Sequence, residues 1–190
     1  MIDRLLDDLK SDNASTCIDA AFKLAEIKDD RAVDGLIEAL QDPKPLVRNY
    51  AIFALAEIGN PRAMEPIVRM LNDPDIEVRS RAAWALGKIG DRSCMPALAA
   101  ALKDALEVDA HLCRQLIVAL ADIGGIEAVA SILPAFQSSI PEVRVVAADF
   151  LGYIGDDQTR EILSDLIQKE SNPDVQAALR AAIEYTQTTR

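Results

Sequence analysis

The chain has 190 residues, half of them apolar but only 4% aromatic. Its core must therefore form by close approach of small side chains, which favours packed helices. Twenty Lys and Arg against 31 Asp and Glu leave a net charge of −11, a sign that repels phosphate backbones and anionic lipid heads and argues against nucleic acid or a membrane as partner. Three cysteines, Cys17, Cys94 and Cys113, are an odd and widely spaced set, so neither a disulfide framework nor a C-x-x-C metal site is readable. No apolar run is expected to approach the ~18 residues that span a bilayer, and acidic Asp3, Asp7 and Asp8 stand where a signal peptide would be basic. A cytoplasmic location is the expectation.

Self-similarity organises the chain from its first residues. Residues 1–12 are predicted as a lone second helix, because Leu5, Leu6 and Leu9 fall 31 positions before Leu36, Ile37 and Leu40. Two-helix repeats follow at 13–42, 43–73, 74–104, 105–138 and 139–170, each marked by one isoleucine: Ile27, Ile58, Ile89, Ile123 and Ile154. Residues 171–190 read as a lone first helix. In the clearest pair of copies, Val47, Arg48, Leu55, Ile58 and Gly59 align with Val78, Arg79, Leu86, Ile89 and Gly90. Val47, Ala51, Ala54, Leu55 and Ile58 fall at helical spacings and predict an inward stripe.

Gly59 suits a left-handed C′ position, and Asn60 with Pro61 supplies an N-cap and a preset first residue for the second helix. Gly90-Asp91 and Gly155-Asp156 are expected to repeat the device, and Asp42-Pro43 and Asp73-Pro74 to do the same between repeats. The predicted fold is all-α: an α-solenoid of about five helix pairs of ~31 residues with half-repeat caps, forming a single domain over 1–190.

The stretch Val78 to Asp91, VRSRAAWALGKIGD, resembles the HEAT-like repeats named after phycobilisome lyases. The resemblance covers essentially the whole chain. It implies a right-handed α-solenoid, an armadillo- or HEAT-like superhelix, and leaves function wide, because such repeats occur in bilin lyase subunits, phycobilisome degradation factors, iron-dependent deoxyhypusine hydroxylases and scaffolds. The hydroxylases hold two irons with His-Glu pairs, whereas the single histidine, His111, is followed by Leu112; that activity is excluded. Eight aromatic residues in total offer little for a tetrapyrrole pocket.

The arginine of the V-R pair recurs as Arg48, Arg79 and Arg144 and is read as structural, a fork donating to turn acids such as Asp91 and Asp156 or to carbonyls of an adjoining repeat. Cys17 and Cys113 occupy the same column and read as small buried hydrophobes. Phe22, Phe53, Trp84 and Val118 share a position five residues before the repeat isoleucine, on the outer, convex side. They either cover the seams between first helices or form a partner-binding ridge. On the second helices, expected to line the concave side, the solvent positions read Glu38, Arg69, Ala100, Pro134 and Asp165, and one turn earlier Asp34, Glu65, a register-shifted Met95 or Pro96, Ala130 and Glu161. This acidic, neutral, acidic pattern is either an ordinary solvated face or a groove for a basic or helical partner segment. His111 is read as a surface residue.

No Gly-rich phosphate loop, nucleophile with a matched histidine, or carboxylate–histidine cluster is readable. Catalytic residues, cofactor and metal are therefore expected to be absent. The reading is a non-enzymatic scaffold that binds a protein along its concave face through Glu38, Glu65, Arg69, Ala100, Ala130, Glu161 and Asp165, with Phe22, Phe53 and Trp84 as the convex alternative. The other reading is a bilin lyase or lyase-like subunit, or a degradation factor, acting on phycobiliproteins.

Overall fold

The computed structural model describes residues 1–188, with side chains through Thr186. They are helices joined by short turns, without a strand among the described residues. They fall into two compact units, Met1–Ile89 and the part from Gly90 onward.

The first unit contains α1 (Ile2–Leu9), α2 (Ala14–Ile27), α3 (Val33–Ala39), α4 (Pro45–Ile58), α5 (Met64–Arg69) and α6 (Ile76–Ile89). The first helices pack side by side, α2 on α4 and α4 on α6, while α1 lies on α2, α3 on α4 and α5 on α6. Helix α4 shows why. Val47, Ala51, Ala54 and Leu55 are fully buried, and the alanines let the neighbouring helices approach while Leu55 fills the space between them. Full burial of a leucine contributes roughly 1.5–3 kcal/mol. Gly59 ends α4 at φ 73 and Gly90 follows α6 at φ 74, the left-handed conformation that only glycine adopts cheaply. Asn60 then accepts a hydrogen bond from the Arg62 amide, and Pro61 opens a 3₁₀ turn that leads into α5.

The second unit contains α7 (Met95–Ala105), α8 (Ala110–Gly124), α9 (Val129–Ile132), α10 (Pro141–Ile154), α11 (Asp157–Lys169) and α12 (Pro173–Thr188). Here α7 packs on α8, α8 on α10, α10 on α12, and α11 on α12. Asp109 caps α8 by accepting the Leu112 amide at 2.7 Å. Gly152 brings α10 and α12 together so closely that a Cβ built there would lie 2.7 Å from the Ala182 backbone.

Three expectations change. Gly155 is not left-handed; its backbone is extended, at φ −79 and ψ 160. The glycine is required by crowding, since an added Cβ would strike the Leu151 carbonyl and the Thr159 side chain. The Asp-Pro pairs do not open the first helices either. Asp42 and Asp73 instead close turns by accepting the amides two residues on, from Lys44 and Asp75, and α4 begins with Pro45 after Lys44. Finally, Ala110–Gln137 is a helical run that is long and apolar enough, by length and composition, to cross a bilayer, with a mean hydropathy of 2.0. Polar interruptions hid it from a search for uninterrupted apolar residues. Within this run α8 packs on α7 and α10, so much of its apolar surface faces protein.

Candidate functional site: charged staples and an aromatic ridge

The recurrent arginines bind turns. Arg48 forks onto Asp73, with Nε and Nη2 each 2.7 Å from a carboxylate oxygen, and its Nη1 reaches the carbonyls of Asp42 and Pro43. The pair is buried, its side chains only 10% and 3% exposed. Arg79 repeats the carbonyl contacts, to Asp73 and Pro74. Arg144 forks onto Glu170 and the Ser138 carbonyl, and this guanidinium holds the Glu170 carboxyl below its ordinary pKa. The expected acceptors Asp91 and Asp156 serve elsewhere, as side-chain caps for the amides of Ser93 and Thr159. An acid about 25 residues downstream of the arginine comes to lie beside it, because one repeat returns the chain alongside itself.

Where cysteine replaces the arginine, residues at the boundary with the next repeat supply the donor. Beside Cys17, the Lys44 ammonium reaches the carbonyls of Lys10 and Ser11 and the carboxylate of Asp12. Near Cys113, the Ser138 hydroxyl takes the Leu106 carbonyl at 2.6 Å, while Ser139 bonds Glu107. Sequence reasoning missed these substitutes because they stand one repeat away from the column they complete. All three thiols are buried, and burial pushes Cys113 up to about 11. His111 is exposed at the start of α8.

On the second helices, every residue expected to face solvent does so: Glu38, Glu65 and Arg69 in the first unit, and Ala100, Ala130, Glu161 and Asp165 in the second. The charges of the first unit largely answer one another. Glu38 meets Lys10 at 3.4 Å, Glu65 meets Arg69 at 3.5 Å, and Asp34 pairs with Arg62. This row is a set of exposed ion pairs rather than a bare acidic strip, and each such pair contributes at most about 1 kcal/mol.

The first-helix face of the first unit has a different chemistry. Phe22 of α2 meets Phe53 of α4 edge-on with ring centroids 4.9 Å apart, and Phe53 stacks on Trp84 of α6 at 5.9 Å. Tyr50, one turn before Phe53, adds a fourth ring 6.3 Å from Phe22. Phe22 remains 51% exposed, and the other three rings are half-buried.

Cations border this row. The Arg81 guanidinium lies 5.2 Å from the Trp84 centroid and 5.9 Å from that of Phe53, and the Lys88 ammonium lies 5.5 Å from Trp84. Lys88 is paired with Glu57 at 2.6 Å. Arg81 donates Nε to the Asn49 amide oxygen at 3.1 Å, and Asn49 in turn donates to the Glu77 carbonyl. The rings thus cover the seams between adjacent helices and still present apolar surface. Tyr50, Arg81 and Lys88 were missed, although each stands three or four residues from a ring of the column, the spacing that places side chains on one helix face. In the second unit the column passes to Val118.

Stacked helix pairs whose first helices align side by side and whose turns are tied by arginine define an α-helical repeat protein. The chain belongs to the HEAT-repeat family, whose model matches residues 2–63, 33–121 and 107–184. No curated protein is a significant sequence match. Among solved structures, an engineered protein is 25% identical over 98% of this chain and 96% of its own, with a TM-score of 0.60. The complex of CpcE and CpcF of phycocyanin lyase from Nostoc sp. PCC7120 is 24% identical over 96% of this chain and 75% of that one, with a TM-score of 0.66. A designed armadillo repeat protein in complex with a (KR)4 peptide is 21% identical over 96% and 98%, with a TM-score of 0.60. The last two likenesses carry the fold alone.

Proposed function

We propose that this HEAT-repeat chain is a non-enzymatic scaffold that docks a protein partner, and that the aromatic ridge of α2, α4 and α6 is its principal contact surface. The observation that carries the reading is the unbroken row Phe22, Phe53 and Trp84, joined by Tyr50, on a chain with only eight aromatic residues. Rings contribute large, rigid contact area at low entropic cost, and aromatic and Arg side chains dominate the energetics of interfaces. The second-helix row, Glu38, Glu65 and Arg69 with Ala100, Ala130, Glu161 and Asp165, is the weaker candidate because its charges in the first unit are already paired.

The test begins with capture from the source cells, followed by rebinding of the purified partner. The double variant Phe22→Ala/Phe53→Ala is expected to weaken binding roughly thirtyfold, the effect of about 2 kcal/mol at a hot spot, while Glu38→Lys and Glu65→Lys leave it nearly unchanged. The reverse outcome moves the site to the second helices.

A bilin lyase-like subunit is the second reading. What favours it is the gathering of four of the eight rings with Arg81 and Lys88 in one place, a combination suited to an apolar pigment that carries carboxylates. Formation of a coloured covalent adduct on incubation with bilin and an apo-phycobiliprotein decides for it.

A further inference from the structure

We infer that the ridge recognises a protein segment presenting a carboxylate beside an apolar side chain, the carboxylate seated on Arg81 and the apolar group on Phe22 and Phe53. This rests on the ridge being the docking surface. The key is the state of Arg81. Arg48 and Arg144 spend their forks on carboxylates, and Arg62, Arg69 and Arg92 are ion-paired. Arg81 has no ion pair among the described residues, in a chain where acids outnumber bases by 31 to 20. Asn49 takes only its Nε, which leaves the terminal nitrogens to an outside acceptor.

Its surroundings prepare it for that role. The planes of Trp84 and Phe53 fix the guanidinium, and Asn49 is itself anchored to the Glu77 carbonyl. Little rotamer freedom is then lost when a carboxylate forms its two parallel bonds. Glu57, the carboxylate of α4 on this face, is engaged by Lys28 at 3.8 Å and Lys88 at 2.6 Å, and exposed Glu77, one turn before Arg81 on α6, makes no ion pair with it. The ridge thus carries, on an acidic chain, a guanidinium with no ion pair among the described residues.

Spacing limits the ligand. Phe22 lies 4.9 Å from Phe53, and Arg81 lies 5.9 Å from Phe53, so the two anchors are no more than about 11 Å apart. An extended peptide advances about 3.3 Å per residue. The acid and its apolar partner therefore stand no more than about three residues apart.

Trp84 is the only tryptophan, so its fluorescence reports on the site. The full chain would be titrated with a short synthetic peptide of Glu-Pro-Leu repeats, with the Gln-Pro-Leu counterpart, and with biliverdin. The glutamate peptide is expected to perturb Trp84 saturably, with the glutamine peptide about tenfold weaker, as for loss of a charge-assisted pair. Arg81→Gln should remove the difference between the peptides, while Arg81→Lys retains part of it; circular dichroism checks that both variants remain folded. Equal response to both peptides, no response to either, or a response to biliverdin alone overturns the inference. If the natural partner loses affinity on Phe22→Ala/Phe53→Ala but is indifferent to Arg81→Gln, the acidic chemistry fails and the docking ridge stands.

Discussion

Asp73→Ala should be among the most damaging single substitutions in the first unit. The change strips Arg48 of both carboxylate bonds at 2.7 Å and leaves a guanidinium whose side chain is only 10% exposed. Removing one partner of a buried pair costs about 3–5 kcal/mol. The carbonyls of Asp42 and Pro43 still receive Nη1 at 2.9 and 3.2 Å, which places the expectation at the lower end, about 3 kcal/mol. With an m-value of about 2 kcal/mol per molar urea, the midpoint falls by about 1.5 M. The assay is urea unfolding followed by far-ultraviolet circular dichroism and by Trp84 fluorescence, since Trp84 belongs to the same unit. The double variant Arg48→Met/Asp73→Asn should recover much of the loss, because it removes the stranded charge while the side-chain carbonyl kept at position 73 can still accept the Asp75 amide. A loss below about 1 kcal/mol for Asp73→Ala would refute the view that these arginines are buried staples.

Cys113 should make the fold sensitive to alkali. Burial holds its thiol at about 11 against an ordinary value of 9.0, so the folded state keeps a proton that the unfolded state releases. Its contribution is complete below pH 9 and is lost as pH rises from 9 through 11, by roughly 2–3 kcal/mol. Unfolding midpoints of wild type and Cys113→Ala across that range read it as a shallower alkaline decline in the variant. Gly152→Ala should destabilise by about 1–2 kcal/mol in thermal melts, despite the roughly 1 kcal/mol gain in helix propensity, because the new methyl meets the Ala182 backbone at 2.7 Å. A stabilised Gly152→Ala would mean that α12 can retreat freely.

The repeat was legible because it is written in local chemistry. Alanine and leucine at helical spacings, glycine at the left-handed ends of α4 and α6, and Asn60 before Pro61 each act within a few residues. Gly155 misled because it shares the position of Gly59 but serves close packing instead of a positive φ. The arginine column was legible as structural, and so were its carbonyl acceptors in the adjoining repeat, at Asp42, Asp73 and Ser138, but its carboxylate acceptors were not. Asp73 and Glu170 lie 25 and 26 residues from Arg48 and Arg144 and become neighbours only when the repeats stack.

The candidate face divided in the same way. Helical periodicity placed Glu38, Glu65 and Arg69 in solvent, yet that Lys10 faces Glu38 depends on how α1 and α3 are set side by side. The column Phe22, Phe53 and Trp84 was visible as an alignment. Its fusion into one surface, and the seating of Arg81 over two of its rings, came from the packing of α2, α4 and α6.

The central claim is that a protein partner docks on the aromatic ridge, and Trp84 tests it most directly. With 5-fluorotryptophan incorporated into this chain alone, a single ¹⁹F resonance reports the ring stacked on Phe53. The account predicts that saturating amounts of the purified partner shift that resonance and protect it from solvent, and that Phe22→Ala/Phe53→Ala sharply reduces both effects at the same partner concentration. A partner that binds fully while the resonance and its solvent exposure stay unchanged would contradict it.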